Sequence, residues 1–197
     1  MSRPSKLVLA ACAAVVLAAC TDPSKLPAEA ALKAADSAFD AVKTQAQKLV
    51  PTQTEALARQ IAEAKGLYAA QKYKEALASA GAAADKAKAL GAAAAAKRDE
   101  LTNAFRSATA ELPPLLDSVK ARIAELKKTR KLPKGLDKAA VERAEASLSE
   151  IAASSETAAA KFKDGALQEA AAAARALPAK AQELLASIGG GEKVATK

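Results

Sequence analysis

Residues 112–126 read LPPLLDSVKARIAEL, and this stretch decides the fold class. Its apolar side chains recur at intervals of four and three residues: Leu112, Leu116, Val119, Ile123 and Leu126. That spacing places them on one face of an α-helix. Elsewhere in the sequence no stretch alternates between apolar and polar residues with the period of two that a half-buried strand needs. The sequence therefore predicts an all-α protein.

The same helical spacing recurs along the chain and predicts six helices, whose apolar stripes begin near residues 32, 57, 73, 112, 141 and 162. Pro51, the pair Pro113-Pro114 and the turn at 132–135 are the expected breaks. Pro178 is expected to kink or divide the sixth helix. The third helix is expected either to run on through Gly91 or to kink there. Together these elements predict an antiparallel helical bundle with alanine-rich seams.

Composition excludes several kinds of function. Of 197 residues 58 are alanine, and there is no His, no Trp and only two Cys. The usual zinc, haem and iron–sulfur ligand sets and a Ser-His-Asp triad cannot be built. No carboxylate pair and no glycine-rich phosphate loop stands out. Five aromatic residues are too few for a base-stacking platform. We therefore predict a protein that is not an enzyme, with no metal, no cofactor and no nucleic-acid partner.

The first nineteen residues have the form of a secretory signal. Arg3 and Lys6 precede an apolar run of 13 residues, LVLAACAAVVLAA, at 7–19. A membrane-spanning helix needs about 20 residues, so the run is too short to cross a bilayer comfortably. Its length and its basic flank fit the h-region of an export signal. We expect residues 1–19 to be removed.

The run ends in Leu17-Ala18-Ala19-Cys20, which resembles the bacterial lipobox. The resemblance implies cleavage just before Cys20, diacylation of its thiol and acylation of the new amine. The mature chain would then be held on a membrane by lipid. In lipoproteins an Asp directly after the lipidated Cys favours the inner membrane. Thr21 stands there, so the resemblance implies the periplasmic face of the outer membrane, with the inner membrane left open.

Positive charge is concentrated in one region of the mature chain. Loss of Arg3 and Lys6 lowers the formal net charge from +8 to +6, and residues 120–138 alone carry +6. The candidate binding residues there are Lys127, Lys128, Arg130, Lys131 and Lys134. One interpretation is a patch for an anionic surface such as lipid headgroups, lipopolysaccharide or cell-wall carboxylates. The other is that Lys127, Lys128, Arg130 and Lys131 complement the dipole at the end of a helix.

Two segments of the chain resemble each other. Residues 69–77, AAQKYKEAL, align with 158–167, AAAKFKDGAL, if Tyr73 pairs with Phe162 and Gly165 is an insertion. We interpret this as a duplicated three-helix unit, with the alternative that low complexity makes the match a coincidence. The predicted organisation is a signal at 1–19, a tether at 20–27, helical units at 28–111 and 112–188, and a disordered tail at 189–197.

The first copy also resembles a tetratricopeptide-type hairpin over the 34 residues 57–90. The matching positions are Ala64, Leu67, Tyr68, Tyr73, Ala76, Leu77 and Ala83. The resemblance implies two closely packed helices with aromatic side chains near their turn. The early Trp and the closing Pro of that pattern are absent from the sequence.

These observations support three hypotheses on function. The first is a lipid-anchored periplasmic adaptor or scaffold that presents helix surfaces to an envelope protein. The second is a structural spacer that contacts peptidoglycan through residues 120–138. That spacer could also be joined to peptidoglycan through Lys197, because a glycine linker and a terminal lysine resemble Braun-type lipoproteins. The third is a carrier of an apolar ligand between the helices.

Overall fold

A computed structural model describes residues 22–189, and this part of the chain is all α-helical, as predicted. It contains five helices and no strand. The helices are α1 (Lys25–Leu49), α2 (Pro51–Ala69), α3 (Tyr73–Lys128), α4 (Lys138–Lys163) and α5 (Leu167–Ser187). The expected signal at 1–19, Cys20 and Lys197 lie outside the described residues.

The chain divides into two compact units between Ala94 and Ala95. The first unit contains α1, α2 and α3 up to Ala94, and the second contains the rest of α3 with α4 and α5. We expected the second unit to begin at residue 112. It begins earlier because Phe105 of α3 stacks on Phe162 of α4, with ring centroids 4.2 Å apart.

The predicted break at Pro113-Pro114 is wrong, since α3 runs through both prolines as one helix of 56 residues. A proline inside a helix costs about 3 kcal/mol, because it lacks an N–H and clashes with the preceding turn. Packing offsets this cost. Leu112 lies in a cluster with Ile151 of α4 and Leu177 of α5. The third and fourth predicted helices are therefore a single helix, which also continues through Gly91.

Three other boundaries differ from the sequence prediction. Helix α5 contains Pro178 without being divided. It begins at Leu167, so Phe162 belongs to the last turn of α4 rather than to the final helix. Helix α1 begins at Lys25, inside the stretch 20–27 that we expected to be a tether. Pro27 fits there because proline is tolerated in the first turn of a helix.

The core of the first unit is a seam of alanines with a few larger side chains. Leu32 packs with Ala64 and Ala80, one from each helix. Small residues let helices approach closely, and Gly91 shows how closely, because a Cβ at this position would lie 3.0 Å from Cγ1 of Val42. The first unit is therefore held together by close approach more than by large buried side chains.

The second unit has a core of larger aliphatic side chains. One cluster joins α3, α4 and α5 through Val119, Ile123, Leu126, Val141, Ala144, Leu185 and Ile188. Ile123 and Ile151 are buried, as their stripes predict. Leu116, which the stripe of 112–126 places on the same face as Ile123, is only half-buried, and so is Leu148 of α4. They pack at the edges of the clusters.

The hairpins α2–α3 and α4–α5 turn with the same hydrogen bonds. In the first, Lys72 N donates to Leu67 O, and Gln71 has φ of 61°. In the second, Ala166 N donates to Lys161 O, and Gly165 has φ of 78°. Both are Schellman turns, in which one residue in the left-handed conformation ends the helix. The two turns match when Gln71 is placed on Gly165, an offset of 94 residues.

A groove lies between the two helices of each hairpin, and the same offset relates the residues of the two grooves. The groove of α2–α3 is lined by Gln53, Ala56, Leu57, Gln60, Lys86, Ala89, Leu90 and Ala93. The groove of α4–α5 is lined by Ser147, Glu150, Ile151, Ser154, Lys180, Glu183, Leu184 and Ser187. Every residue of the second set lies 94 positions after one of the first. The offset places Phe162 on Tyr68, so our alignment of Phe162 with Tyr73 is wrong.

Candidate binding site at the α3–α4 turn

Nine residues, 129–137, connect α3 to α4, and we call them the basic turn. Local hydrogen bonds hold both ends. Thr129 Oγ1 donates to Glu125 O over 2.8 Å as α3 ends. At the other end Asp137 caps α4, because its Oδ1 accepts a 2.6 Å hydrogen bond from Ala140 N. Between them Leu136 N donates to Pro133 O, and Gly135 supplies the φ of 94° that this tight turn requires.

Two leucines attach the basic turn to the core of the second unit. Leu132 and Leu136 are half-buried and pack against the cluster that contains Leu126 and Val141. Their contacts place the polar residues between and before them at the surface. The turn is thus anchored by its apolar side chains and presents its charged ones to solvent.

Three of the five predicted binding residues lie in the basic turn and two lie directly before it, and all five are exposed. Lys127 and Lys128 are in the last turn of α3, where they complement the helix dipole. Arg130, Lys131 and Lys134 lie beyond the helix end, so the dipole interpretation does not extend to them. Sequence reasoning placed Arg130 and Lys131 in the helix because it put the helix end too late.

Ion pairs neutralise only some of the cations in this region. Lys127 Nζ lies 2.5 Å from Glu145 Oε1, and Arg122 lies 3.1 Å from Glu125. Over the described part of the chain, the remaining predicted cations have no carboxylate within 4.0 Å. They are Lys128, Arg130, Lys131 and Lys134. The positive charge of the turn is therefore available to a partner.

A cavity of about 520 Å³ opens beside these cations, and we call it the turn pocket. Four aliphatic side chains line it: Leu126, Leu132, Leu136 and Val141. The other lining residues are Lys127, Thr129, Arg130, Lys131, Lys138 and Glu142. Sequence reasoning found the cations and missed the apolar lining. The signal for it was the pair of leucines four residues apart within a basic stretch.

The grooves of the two hairpins are less suited to an external ligand. In the first, Lys86 Nζ donates to Gln60 Oε1 over 2.6 Å, and Gln60 in turn donates to Ser79 O. In the second, two carboxylates stand on the same lining as Lys180. The polar groups of the first groove therefore bind each other, and the second groove carries both positive and negative charge. The basic turn differs because its cations have no ion-pair partner among the described residues.

The described residues offer no arrangement typical of catalysis or metal binding. Over 22–189 no three His, Cys, Asp or Glu side chains come together to hold a metal ion. Two exposed carboxyl groups have lowered pKa values. Hydrogen bonds from Lys33 to Glu29 and from Lys161 to Glu169 lower the pKa of each carboxyl, and the charges of the lysines add to this effect. Both are surface ion pairs far in sequence from the basic turn.

In comparisons with known proteins, no family model, curated protein or solved structure matches this chain. The tetratricopeptide resemblance at 57–90 therefore remains a prediction, although these residues do lie in a helical hairpin. None of the helices in the described region is both long and apolar enough to span a bilayer.

Proposed function

We propose that this chain is a lipid-anchored, non-enzymatic scaffold of the bacterial envelope that binds an anionic envelope component through its basic turn. One observation carries the proposal. Arg130, Lys131 and Lys134 are exposed on a turn that the core holds in place, and within residues 22–189 no carboxylate lies within 4.0 Å of them. Free cations on a fixed surface are what recognition of an anionic partner requires.

The lipid anchor makes a modest charge attraction sufficient. Each basic side chain near an anionic membrane surface contributes about 1 kcal/mol, so three free cations supply about 3 kcal/mol. Alone this corresponds to millimolar binding or weaker. A chain already held at the membrane by acyl groups on Cys20 makes the second contact intramolecularly, at a high effective concentration. The predicted lipobox and the basic turn therefore support each other.

The partner could be an acidic protein, the carboxylates of peptidoglycan or an anionic lipid. The first belongs to the adaptor hypothesis and the second to the spacer hypothesis. All three partners carry negative charge, so the same cations of the basic turn would bind each of them. Lys197 lies outside the described residues, and a covalent link through its amine is a separate prediction.

The test uses the lipidated chain in nanodiscs of neutral phosphatidylcholine. Binding is measured to purified peptidoglycan by pelleting and to phosphatidylglycerol vesicles by flotation, at low and high salt. The variant R130E/K131E reverses two free cations of the turn. The matched control R59E/K74E makes the same charge change in the first unit, at two exposed residues without ion pairs in the described region.

We expect binding to at least one of the two partners. It should weaken with salt because exposed charges are screened, and it should be lost in R130E/K131E but kept in R59E/K74E. Equal loss in both variants would show that only net charge matters, and the basic turn would then have no special role. If the unaltered chain binds neither partner, an acidic protein is the only remaining candidate. The proposal then requires that one acidic protein co-purifies stoichiometrically with the unaltered chain and not with R130E/K131E.

A further inference from the structure

We infer that the turn pocket binds one single-chain anionic amphiphile, a fatty acid or a lysophospholipid, with its acyl chain on the leucines and its head on Arg130 and Lys131. This inference rests on the proposed function and names the ligand class of the same site. It gives the apolar lining of the pocket a role, which attraction between charges alone does not.

The apolar lining is the first argument. Leu132 and Leu136 are only half-buried, so part of each side chain remains open to the pocket. Behind them lie Leu126 and Val141, which are buried in the core cluster against which the two leucines pack. The volume of about 520 Å³ falls within the range of about 300–1,000 Å³ that is typical of small-molecule sites. Burying methylene groups there would contribute about 0.8 kcal/mol for each one.

The charge on the lining is the second argument. Lys127, Arg130, Lys131 and Lys138 line the pocket against one carboxylate, that of Glu142. Lys127 is paired with Glu145, but Arg130 and Lys131 are not paired over the described residues. The guanidinium of Arg130 can bind a carboxylate or a phosphate with two parallel hydrogen bonds. A ligand with an anionic head and an apolar tail satisfies both parts of the lining.

Other occupants match only one part of the lining. A neutral lipid would leave the cations without a partner, and a short anion would leave the leucines in water. A flat bilayer surface could contact the charges, but it would not fill a concave pocket. An acidic peptide could reach the cations, and its side chains could enter the pocket, so the experiment below includes one as a competitor.

The experiment is photo-labelling of the lipidated full chain in phosphatidylcholine nanodiscs with palmitic acid that carries a diazirine on its chain. After illumination the labelled peptides are mapped by mass spectrometry. We expect label within residues 126–142 and about tenfold less of it in R130E/K131E, because a charge-assisted hydrogen bond is worth at least this factor. R59E/K74E should be labelled like the unaltered chain. Circular dichroism checks that all three proteins have the same helix content.

A series of competitors tests the apolar lining without altering the protein. Palmitate, octanoate and butyrate share one head group and differ in chain length. If the leucines bind the chain, palmitate should displace the label most strongly, octanoate less and butyrate least. Methyl palmitate, which has the chain without the charge, should displace little. An acidic peptide should compete no better than butyrate.

Several results would overturn this inference. Label spread over the whole chain, equal label in R130E/K131E, or equal competition by butyrate and palmitate would each do so. If the unaltered chain gives no label at residues 126–142 but R130E/K131E still loses binding to peptidoglycan or to phosphatidylglycerol vesicles, the pocket ligand is wrong and the proposed function stands. If that binding also fails to depend on the turn, both are wrong.

Discussion

The two units repeat one helical hairpin but differ in the connection that leads into it. In the first unit a single residue, Val50, separates α1 from α2. In the second the nine-residue basic turn separates α3 from α4. The hairpins that follow share their Schellman turn and their groove, at an offset of 94 residues. What distinguishes the second unit is therefore its connection, and that is where the free cations and the turn pocket lie.

The repeated positions also differ in side-chain size. Ala83 and Ala94 of the first unit correspond to Leu177 and Ile188 of the second, and all four are buried. Larger side chains bury more apolar area, which contributes about 25 cal/mol for each Å². The first unit compensates with close helix approach, as at Gly91. The same hairpin geometry is therefore packed with small side chains and close helices in the first unit, and with larger side chains in the second.

The largest effect is expected at the equivalent core positions Leu57 and Ile151. Both are buried in their hairpins, so Leu57→Ala and Ile151→Ala should each lower the free energy of unfolding by about 2–4 kcal/mol. Leu148→Ala should cost less because Leu148 is half-buried. Urea denaturation followed by circular dichroism measures this. A neutral Ile151→Ala would show that the α4 stripe is assigned wrongly.

The next largest effect is expected at the two Schellman turns. Removing a Cβ from the left-handed residue of one turn and adding a Cβ to that of the other should shift the melting temperature in opposite directions. Gln71 adopts φ of 61°, which costs a residue with a Cβ about 1–2 kcal/mol relative to glycine. Gln71→Gly should therefore raise the melting temperature. Gly165→Ala should lower it, because nothing crowds a Cβ there and the strain of φ at 78° is the only change. Shifts of the same sign in the two variants would show that the turns are not equivalent.

The third prediction tests close approach in the first unit. Glycine inside a helix is less favourable than alanine by about 1 kcal/mol, but a Cβ at Gly91 would lie 3.0 Å from Val42 Cγ1. Gly91→Ala should stabilise the chain by about 1 kcal/mol when Val42 is also alanine, and much less when Val42 is kept. A double-mutant cycle in urea measures the coupling. No coupling would mean that the helices separate freely at this point.

The smallest effect is expected at the ion pair of Lys161 and Glu169, whose atoms lie 2.6 Å apart. The pKa of Glu169 is lowered by the hydrogen bond and charge of Lys161, so the pair stabilises the fold above the usual pKa of glutamate. This contribution is lost as pH falls through the lowered pKa. Glu169→Gln should remove that pH dependence.

In the first unit the equivalent glutamate pairs with a lysine at a different position and over a longer distance. Glu75 is equivalent to Glu169, and its carboxylate lies 3.7 Å from Lys72. Glu75→Gln should therefore lower the melting temperature at neutral pH less than Glu169→Gln does. Both pairs are exposed, and such pairs contribute little. A larger effect at Glu75 would contradict the ranking that the distances imply.

Much of the fold could be predicted from the sequence, because helical periodicity is a local signal. The buried faces at Ile123 and Ile151 follow from it directly. The expected break at Pro113-Pro114 failed because the penalty of a proline is local, whereas the packing of Leu112 against α4 and α5 is not. The repeat alignment failed because Gln71 gives no sign in the sequence that it adopts a left-handed conformation.

The candidate site could be predicted in part. The cations at 127–134 are visible in the sequence, since charge needs no tertiary information. Whether each is free or paired depends on distant residues, as Lys127 shows by its contact with Glu145 of α4. The apolar lining was missed because Leu132 and Leu136 have a role only once Val141 is placed beside them.

The most direct test of the difference between the two units is photo-crosslinking in intact bacterial cells. A photoreactive amino acid replaces Pro133, an exposed residue among the cations of the basic turn, or, in a second variant, Lys48 beside the Val50 connection of the first unit. We predict adducts from position 133, to an anionic lipid, to peptidoglycan released by muramidase or to one acidic protein, and none of comparable yield from position 48. Equal adducts from both positions, or adducts from position 48 alone, would contradict the proposal that the basic turn is the binding surface.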